Sequence, residues 1–167
     1  MEPITAAPIT ASLDGLPVVD GVPTVNGHVI PDQLEVTGGR GLGQLNRRME
    51  IFIAKLSGEH SIAVMRVDGN RQPIGLLHGG SYCVVGESLG SMSANAHAKT
   101  LEGGEFFAVG IDLNATHTGS PRTEWVTAEC RAISLGRSIT VHEIVISDGE
   151  GRRCSTVRIT NLIRERK

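Results

Sequence analysis

Gln72-Pro73-Ile74-Gly75-Leu76-Leu77-His78-Gly79-Gly80, continuing through Ser81-Tyr82-Cys83-Val84-Val85-Gly86-Glu87-Ser88-Leu89-Gly90-Ser91, is the stretch on which the reading of this chain turns. His78-Gly79-Gly80 is a flexible entry, and from Gly79 to about Ala98 no proline interrupts a run long enough for about five helical turns. Gly80, Gly86 and Gly90 lower its helix propensity and are expected where something must come close. The first amides of such a helix lack intrahelical acceptors, and its dipole adds partial positive charge there. A carbonyl oxygen can be polarised at that spot, as in an oxyanion hole built from backbone N–H groups.

Working outward, the spacing predicts a short helix around Leu42 to Met49 and two strands, Ile51 to Leu56 and Ser61 to Val67, joined by a turn at Ser57-Gly58-Glu59. After the long helix three or four strands follow. The clearest is Trp125 to Ile133, where Val126, Ala128, Cys130 and Ala132 alternate with Thr127, Glu129 and Arg131. Another runs from Ile139 to Ser147, and Asp148-Gly149-Glu150-Gly151 turns the chain into Arg153 to Leu162. Strands, one long helix, then antiparallel strands make an α+β architecture, with the apolar helix laid on the sheet.

Composition agrees. The 167 residues, 40% hydrophobic and 20% charged, suit a single domain spanning 41–167. The net charge of −2 hides an asymmetry: residues 1–39 carry Glu2, Asp14, Asp20, Asp32 and Glu35 with no Lys or Arg, leaving 16 basic against 13 acidic side chains beyond them. That mild positive balance suits a small polyanion, and without a basic stripe no nucleic-acid partner is expected. Five of the seven prolines fall in the first 31 residues, so residues 1–40 are expected as an extended or partly disordered arm, or as a segment packed on a neighbouring subunit. Cys83, Cys130 and Cys154 form no paired motif, which fits a reducing cytoplasm, and neither a secretory signal nor a membrane span is read.

Glu87 is the candidate catalytic carboxylate, because an ionised acid among Tyr82, Val84, Val85 and Leu89 loses hydration and needs a partner or a purpose. Ser91, one turn later on the same face, is placed to hydrogen-bond it. Gly79 lies eight residues before Glu87, ~12 Å along a helix axis, so both reach one carbonyl carbon only if the acid comes from a second copy packed antiparallel. Read alone, Glu87 is as well explained by a structural ion pair, His78 by a turn, and Arg137 by a solvated charge. His117 and His142 stand apart from other ligand types, so no metal is expected.

The motif Q-P-x-G-L-L-H-G-G followed by E-S-x-G-S resembles the hotdog-fold acyl-CoA thioesterases of the 4-hydroxybenzoyl-CoA (Arthrobacter-type), phenylacetate-pathway and 1,4-dihydroxy-2-naphthoyl-CoA thioesterase group. The likeness runs from about Ile51 to the C-terminus, with Gly110, Asn114-Ala115-x-His117, Leu135-Gly136 and Gly151-Arg152-x-Cys154. It implies a hotdog fold, one long central helix wrapped by an antiparallel sheet of about five or six strands, and a homo-oligomer, dimer or dimer of dimers, with active sites between subunits. It implies Glu87 as nucleophile or general base, the Gly79 amide as oxyanion donor, His78 and Gln72 positioning the thioester, and Ser91 assisting. Coenzyme A, part of the substrate rather than a cofactor, would meet Gly110, then His117, Thr118, Gly119 and Ser120, and Ser134, Leu135, Gly136, Arg137, Ser138 and Ile139. Thr118-Gly119 departs from the group, where a basic residue is more usual. The rival expectations are a hotdog enoyl-CoA hydratase or dehydratase and a non-catalytic acyl-CoA-binding module.

Overall fold

A computed structural model of the chain describes residues 12–166; the start of the N-terminal arm, residues 1–11, and residue 167 lie outside the described residues. In chain order the elements are β1 (Val18–Val19), β2 (Val22–Val25), β3 (His28–Val29), α1 (Gln33–Val36), α2 (Gly43–Arg48), β4 (Ile51–Lys55), β5 (His60–Arg66), α3 (Gly79–Ala98), β6 (Phe106–His117), β7 (Trp125–Leu135), β8 (Ile139–Asp148) and β9 (Arg153–Glu165). Strands β4 to β9 form one antiparallel sheet in the order β4-β5-β7-β8-β9-β6, and α3 packs on its inner face. This is the expected helix-on-sheet α+β arrangement, with six strands.

The alternation of side chains explains which face is inner. On β8, Thr140, His142, Ile144, Ile146 and Asp148 are buried while the residues between them are at least partly exposed. On β9, Val157, Ile159, Asn161 and Ile163 take the inward positions. Helix α3 answers with Tyr82, Val85, Leu89 and Ala94, all buried.

Two of the α3 glycines are explained by its seat on β9. A Cβ on Gly86 would stand 2.7 Å from Cγ1 and 2.9 Å from Cβ of Val157, and one on Gly90 would collide with Cγ2 of Ile159. The close approach expected of these glycines is therefore made by the chain's own sheet, and it is not a surface kept for a second helix.

The described part of the N-terminal region is more ordered than the expected arm. Strands β1, β2 and β3 form a small antiparallel sheet, and Leu16, Val25 and Ile30 are buried in the main core. Asp32 caps α1 by accepting the amides of Leu34 and Glu35 at 2.9 Å. The buried Gln33 carboxamide then pairs with Ile53 on β4, accepting its N–H at 2.8 Å and donating to its carbonyl at 3.1 Å. Prolines kept this region from reading as structure, yet its short apolar residues have a core to enter once β4 is in place.

Gly90→Ala gains roughly 1 kcal/mol of helix propensity but overpacks α3 on β9 at a cost of about 1–3 kcal/mol. The variant is expected to melt below the parent in thermal or urea unfolding, and Gly90→Ala with Ile159→Ala should lose less than the two single changes summed.

Candidate active site

His78 is the N-cap of α3, in an extended conformation, and its Nδ1 accepts the Gly80 amide at 2.8 Å. That acceptor role puts the neutral ring's proton on Nε2, a donor on an exposed side chain. The Gly79 amide is taken by no acceptor among the described residues and stands at the positive end of a 20-residue helix. Gln72 lies in the turn ahead of it, closed by the Gln72 amide on the Leu76 carbonyl at 2.8 Å and the Gly75 amide on the Gln72 carbonyl at 2.9 Å.

The His117 ring lies against Gly79, where a Cβ would come within 3.1 Å of its Cδ2 and Nε2. Ser155 donates its proton to the Thr116 carbonyl at 3.2 Å, so at 2.9 Å it accepts from His117 Nδ1–H, which in the neutral ring makes Nε2 the acceptor nitrogen. Tyr82 tilts onto the same ring at 5.1 Å and donates its hydroxyl to the Gly119 carbonyl at 3.1 Å. Burial, with the Cys154 thiol beside it, pushes the Tyr82 phenol well above its usual range, so it remains a donor.

The turn after β6 is fixed from below. Thr118 and Gly119 amides both donate to the Cys154 carbonyl, at 2.9 and 3.0 Å. Arg152 reaches the Ser120 carbonyl at 2.7 Å and the buried Asp148 carboxylate at 2.9 Å. Desolvation alone would raise the Asp148 carboxyl, but the Arg152 guanidinium and the amides of Arg122, Arg152 and Glu150 hold it below the usual carboxylate range.

Two turns along α3, Ser91 Oγ donates to Glu87 Oε1 at 3.0 Å. The carboxylate rests on β6 at Gly110, where a Cβ would collide with Oε1. Gly110 sits at a bulge, with Ile111 as the extra residue against β9. In the single chain Glu87 is half-buried rather than enclosed by apolar neighbours, and it lines a cavity of about 320 Å³ with Leu45, Cys83, Val84, Ser88 and Leu113. Beside Ser91 a second cavity of about 370 Å³ opens between α3 and the residues after α1, walled by Val36, Leu56, Met92 and Asn95.

One chain thus gathers the candidate residues into three places. His78, Gly79 and the turn His117 to Ser120 meet at the start of α3, with Gln72 in the turn just ahead of it, while Glu87, Ser91 and Gly110 meet at its middle. Ser134 to Ile139 form the β7–β8 hairpin by the other end of the helix, where Gly136 takes His97 Nε2 at 3.1 Å. There Arg137 stacks on Phe106 at 5.1 Å and donates to the Glu102 carbonyl at 3.1 Å. Among the described residues no three His, Cys, Asp or Glu side chains gather as a metal site, and no helix is long and apolar enough to cross a membrane.

Several contacts escaped the sequence reading: Gly110 beneath Glu87, His117 on Gly79, Tyr82 bracing the turn, and Asn161 behind Ser91 at 3.1 Å. Only Asn161 left a usable signal, a polar side chain at an inward position of an apolar alternating strand. Because the Cβ of Gly110→Ala meets the flexible end of Glu87 rather than backbone, the variant is expected to fold with little change in melting temperature. Displacing the carboxylate should still lower turnover that depends on it by about 10- to 100-fold, which kinetics and melting on the same sample will separate.

The chain matches the Thioesterase superfamily over residues 74–155. It is 41% identical over 123 residues to a Deinococcus radiodurans protein named as an esterase, covering 73% of this chain and 76% of that one. With the 1,4-dihydroxy-2-naphthoyl-CoA hydrolase of Escherichia coli it shares 34% identity over 131 residues, 78% of this chain and 93% of the relative. A crystal structure of a mutant thioesterase from Pseudomonas aeruginosa superposes with a TM-score of 0.71 at 31% identity, covering 81% of this chain and 96% of that one. Fold and kinship agree, and the chain belongs to the hotdog-fold thioesterase superfamily as a thioester hydrolase.

Proposed function

We propose that the substrate is an acyl-coenzyme A with an aromatic or otherwise medium-sized acyl group, hydrolysed to the free acid and coenzyme A at a site shared by two copies of the chain. The observation that carries this reading is that the free Gly79 amide and the Glu87 carboxylate belong to one helix, eight residues and so ~12 Å apart along its axis. A single carbonyl cannot meet both from one chain.

Each chain also leaves surface for a second copy. Strand β6 has β9 on one side and no neighbour on the other among the described residues, with Val109 41% and Ile111 55% exposed. An antiparallel pairing of β6 with the same strand of another copy gives its idle N–H and C=O groups partners. Glu87 rests on Gly110 and Gly79 rests on His117, so a two-fold axis between these points, near Leu113 and Asn114, carries Glu87 to the partner's Gly79.

In that site the Gly79 amide polarises the thioester carbonyl, with His78 and Gln72 positioning it. Glu87 adds to the carbonyl carbon, expelling the thiolate and leaving an acyl-glutamyl anhydride that water then hydrolyses, or it takes a proton from a water that adds to the carbon and passes that proton to the departing thiolate. Each route consumes one water and yields the free acid and the coenzyme A thiol. No step calls for a metal or redox cofactor. The cavity of about 370 Å³ beside Ser91 supports a medium-sized acyl group, and kinship with an enzyme named as an aryl-CoA hydrolase supports coenzyme A and an aromatic ring. Coenzyme A would contact Gly110, the 117–120 turn and the 134–139 hairpin, with Arg137 on a phosphate. The turn and the hairpin lie at opposite ends of α3 in one chain, so both on one ligand would take more than one protomer, which suits a dimer of dimers. We place the enzyme in the cytoplasm, where its three unpaired thiols would stay reduced.

A thiol-release assay over a panel of aryl- and alkyl-CoA esters tests the reading. Glu87→Gln is expected to lose about 100-fold or more of the parent's rate; parental rates in that variant would end the assignment. A hydratase would instead turn over an enoyl-CoA without freeing thiol, and a binding module would bind without turnover.

Shared sites make a second expectation. Pro fits the first helical position after an extended residue, as His78 is, and removes the N–H, so Gly79→Pro tests the oxyanion donor with His117 yielding slightly. Refolding Gly79→Pro together with Glu87→Gln puts both lesions in one of the two sites of each mixed dimer and restores about a quarter of parental activity. No recovery in dimers shown to be mixed would place each site within one chain.

A further inference from the structure

Across β8, β9 and β6 the inner face beneath Ser91 carries the row Thr140, Asn161, Gly110 in register. Thr140 and Asn161 are fully buried, as is His142 two residues along β8, and each keeps a polar atom without a partner: Thr140 Oγ1, Asn161 Nδ2 and His142 Nδ1. A buried amide N–H left unpaired costs more than most interactions return, so such a group calls for an explanation. Of the three side chains, Asn161 is the one bonded to the Glu87–Ser91 pair.

Ser91 Oγ stands 3.0 Å from Glu87 Oε1 and 3.1 Å from Asn161 Oδ1. A hydroxyl has one proton, so it cannot donate to both acceptors. A carboxamide fills the same space with its oxygen and nitrogen exchanged. The exchange turns Asn161 Nδ2 toward Ser91 Oγ, gives the orphaned donor an acceptor, and frees the hydroxyl proton for Glu87.

We propose that Asn161 is a positioning residue for the catalytic carboxylate, donating from Nδ2 to Ser91 Oγ so that Ser91 commits its proton to Glu87 Oε1. Oε1 is then held between the Ser91 hydroxyl and the Gly110 backbone, and Oε2, bonded to no side chain among the described residues, is the oxygen that acts on the thioester or on water. The donor in this relay is completely shielded from solvent, so bulk water does not compete for it. The proposal rests on Glu87 being the catalytic acid.

The test is steady-state thiol release by Asn161→Leu, which keeps most of the side-chain volume, and by Asn161→Asp, which keeps the shape but cannot donate when ionised. Both are made in the parent and in Ser91→Ala. In the parent background kcat should fall about 10-fold with KM nearly unchanged, the size expected for losing one positioning hydrogen bond. In Ser91→Ala the same changes should alter kcat less than about 2-fold, since the relay is already cut. Equal losses in both backgrounds, or a parental kcat in a folded Asn161→Leu, overturn the relay. Neutron diffraction reads the orientation without turnover: Asn161 Nδ2 facing Ser91 supports the proposal, and a carbonyl oxygen there overturns it. If Glu87→Gln is itself active, the functional reading fails; if it is inactive while Asn161→Leu is not, only the relay fails.

Discussion

Helix α3 meets β9 with no side chain of its own in the way at residues 86 and 90, and the geometry of the site follows from that contact. Val157 and Ile159 fill the space two Cβ atoms would occupy, which fixes how deep the helix sits and how it is rotated. Two residues of chemical interest each follow one of these glycines. Glu87 comes directly after Gly86 and is set down on Gly110; Ser91 comes directly after Gly90 and is set down on Asn161. A helix held further off by ordinary side chains would leave the carboxylate short of β6 and the hydroxyl short of β9.

The start of the helix is fixed by a separate set of contacts. His78 takes the second amide and leaves the first without an acceptor among the described residues, His117 with Tyr82 packed behind it fills the space over Gly79, and the Asp148–Arg152 pair anchors the turn that carries Gly119 and Ser120. A free N–H in a rigid frame has little reorganisation left to make when negative charge develops beside it, which is what electrostatic catalysis rewards. Both halves of the proposed chemistry would therefore be preorganised within one chain, held apart by the helix that carries them.

The sheet edges show the same division. At one end Gln33 supplies a carboxamide that satisfies Ile53 as a neighbouring strand would, so β4 is covered by its own N-terminal region. At the other end β6 has no outer neighbour among the described residues, with Val109 and Ile111 exposed. Among the described residues one edge is covered and the longer one is bare, which suits the pairing of β6 with a second copy proposed above.

Local pattern settled much of this from the sequence. An uninterrupted stretch after Gly79 made α3 legible to its last residue, and two-residue alternation made β7, β8 and β9 legible, because both signals come from neighbours along the chain. The family motif put Glu87, Ser91 and Gly79 forward together. Strand β6 was not read residue by residue, since its bulge at Gly110-Ile111 breaks the alternation, and the N-terminal region was not, since its strands and its helix gain their stability from β4 and the core. Which glycine faces the sheet, which backbone makes room for the carboxylate, and that a buried asparagine stands behind the serine were decided by strand register, which pairs residues tens of positions apart. The order of residues determined the elements and the chemical groups; only packing determined which groups touch, because contact between distant segments is a property of the assembled layers.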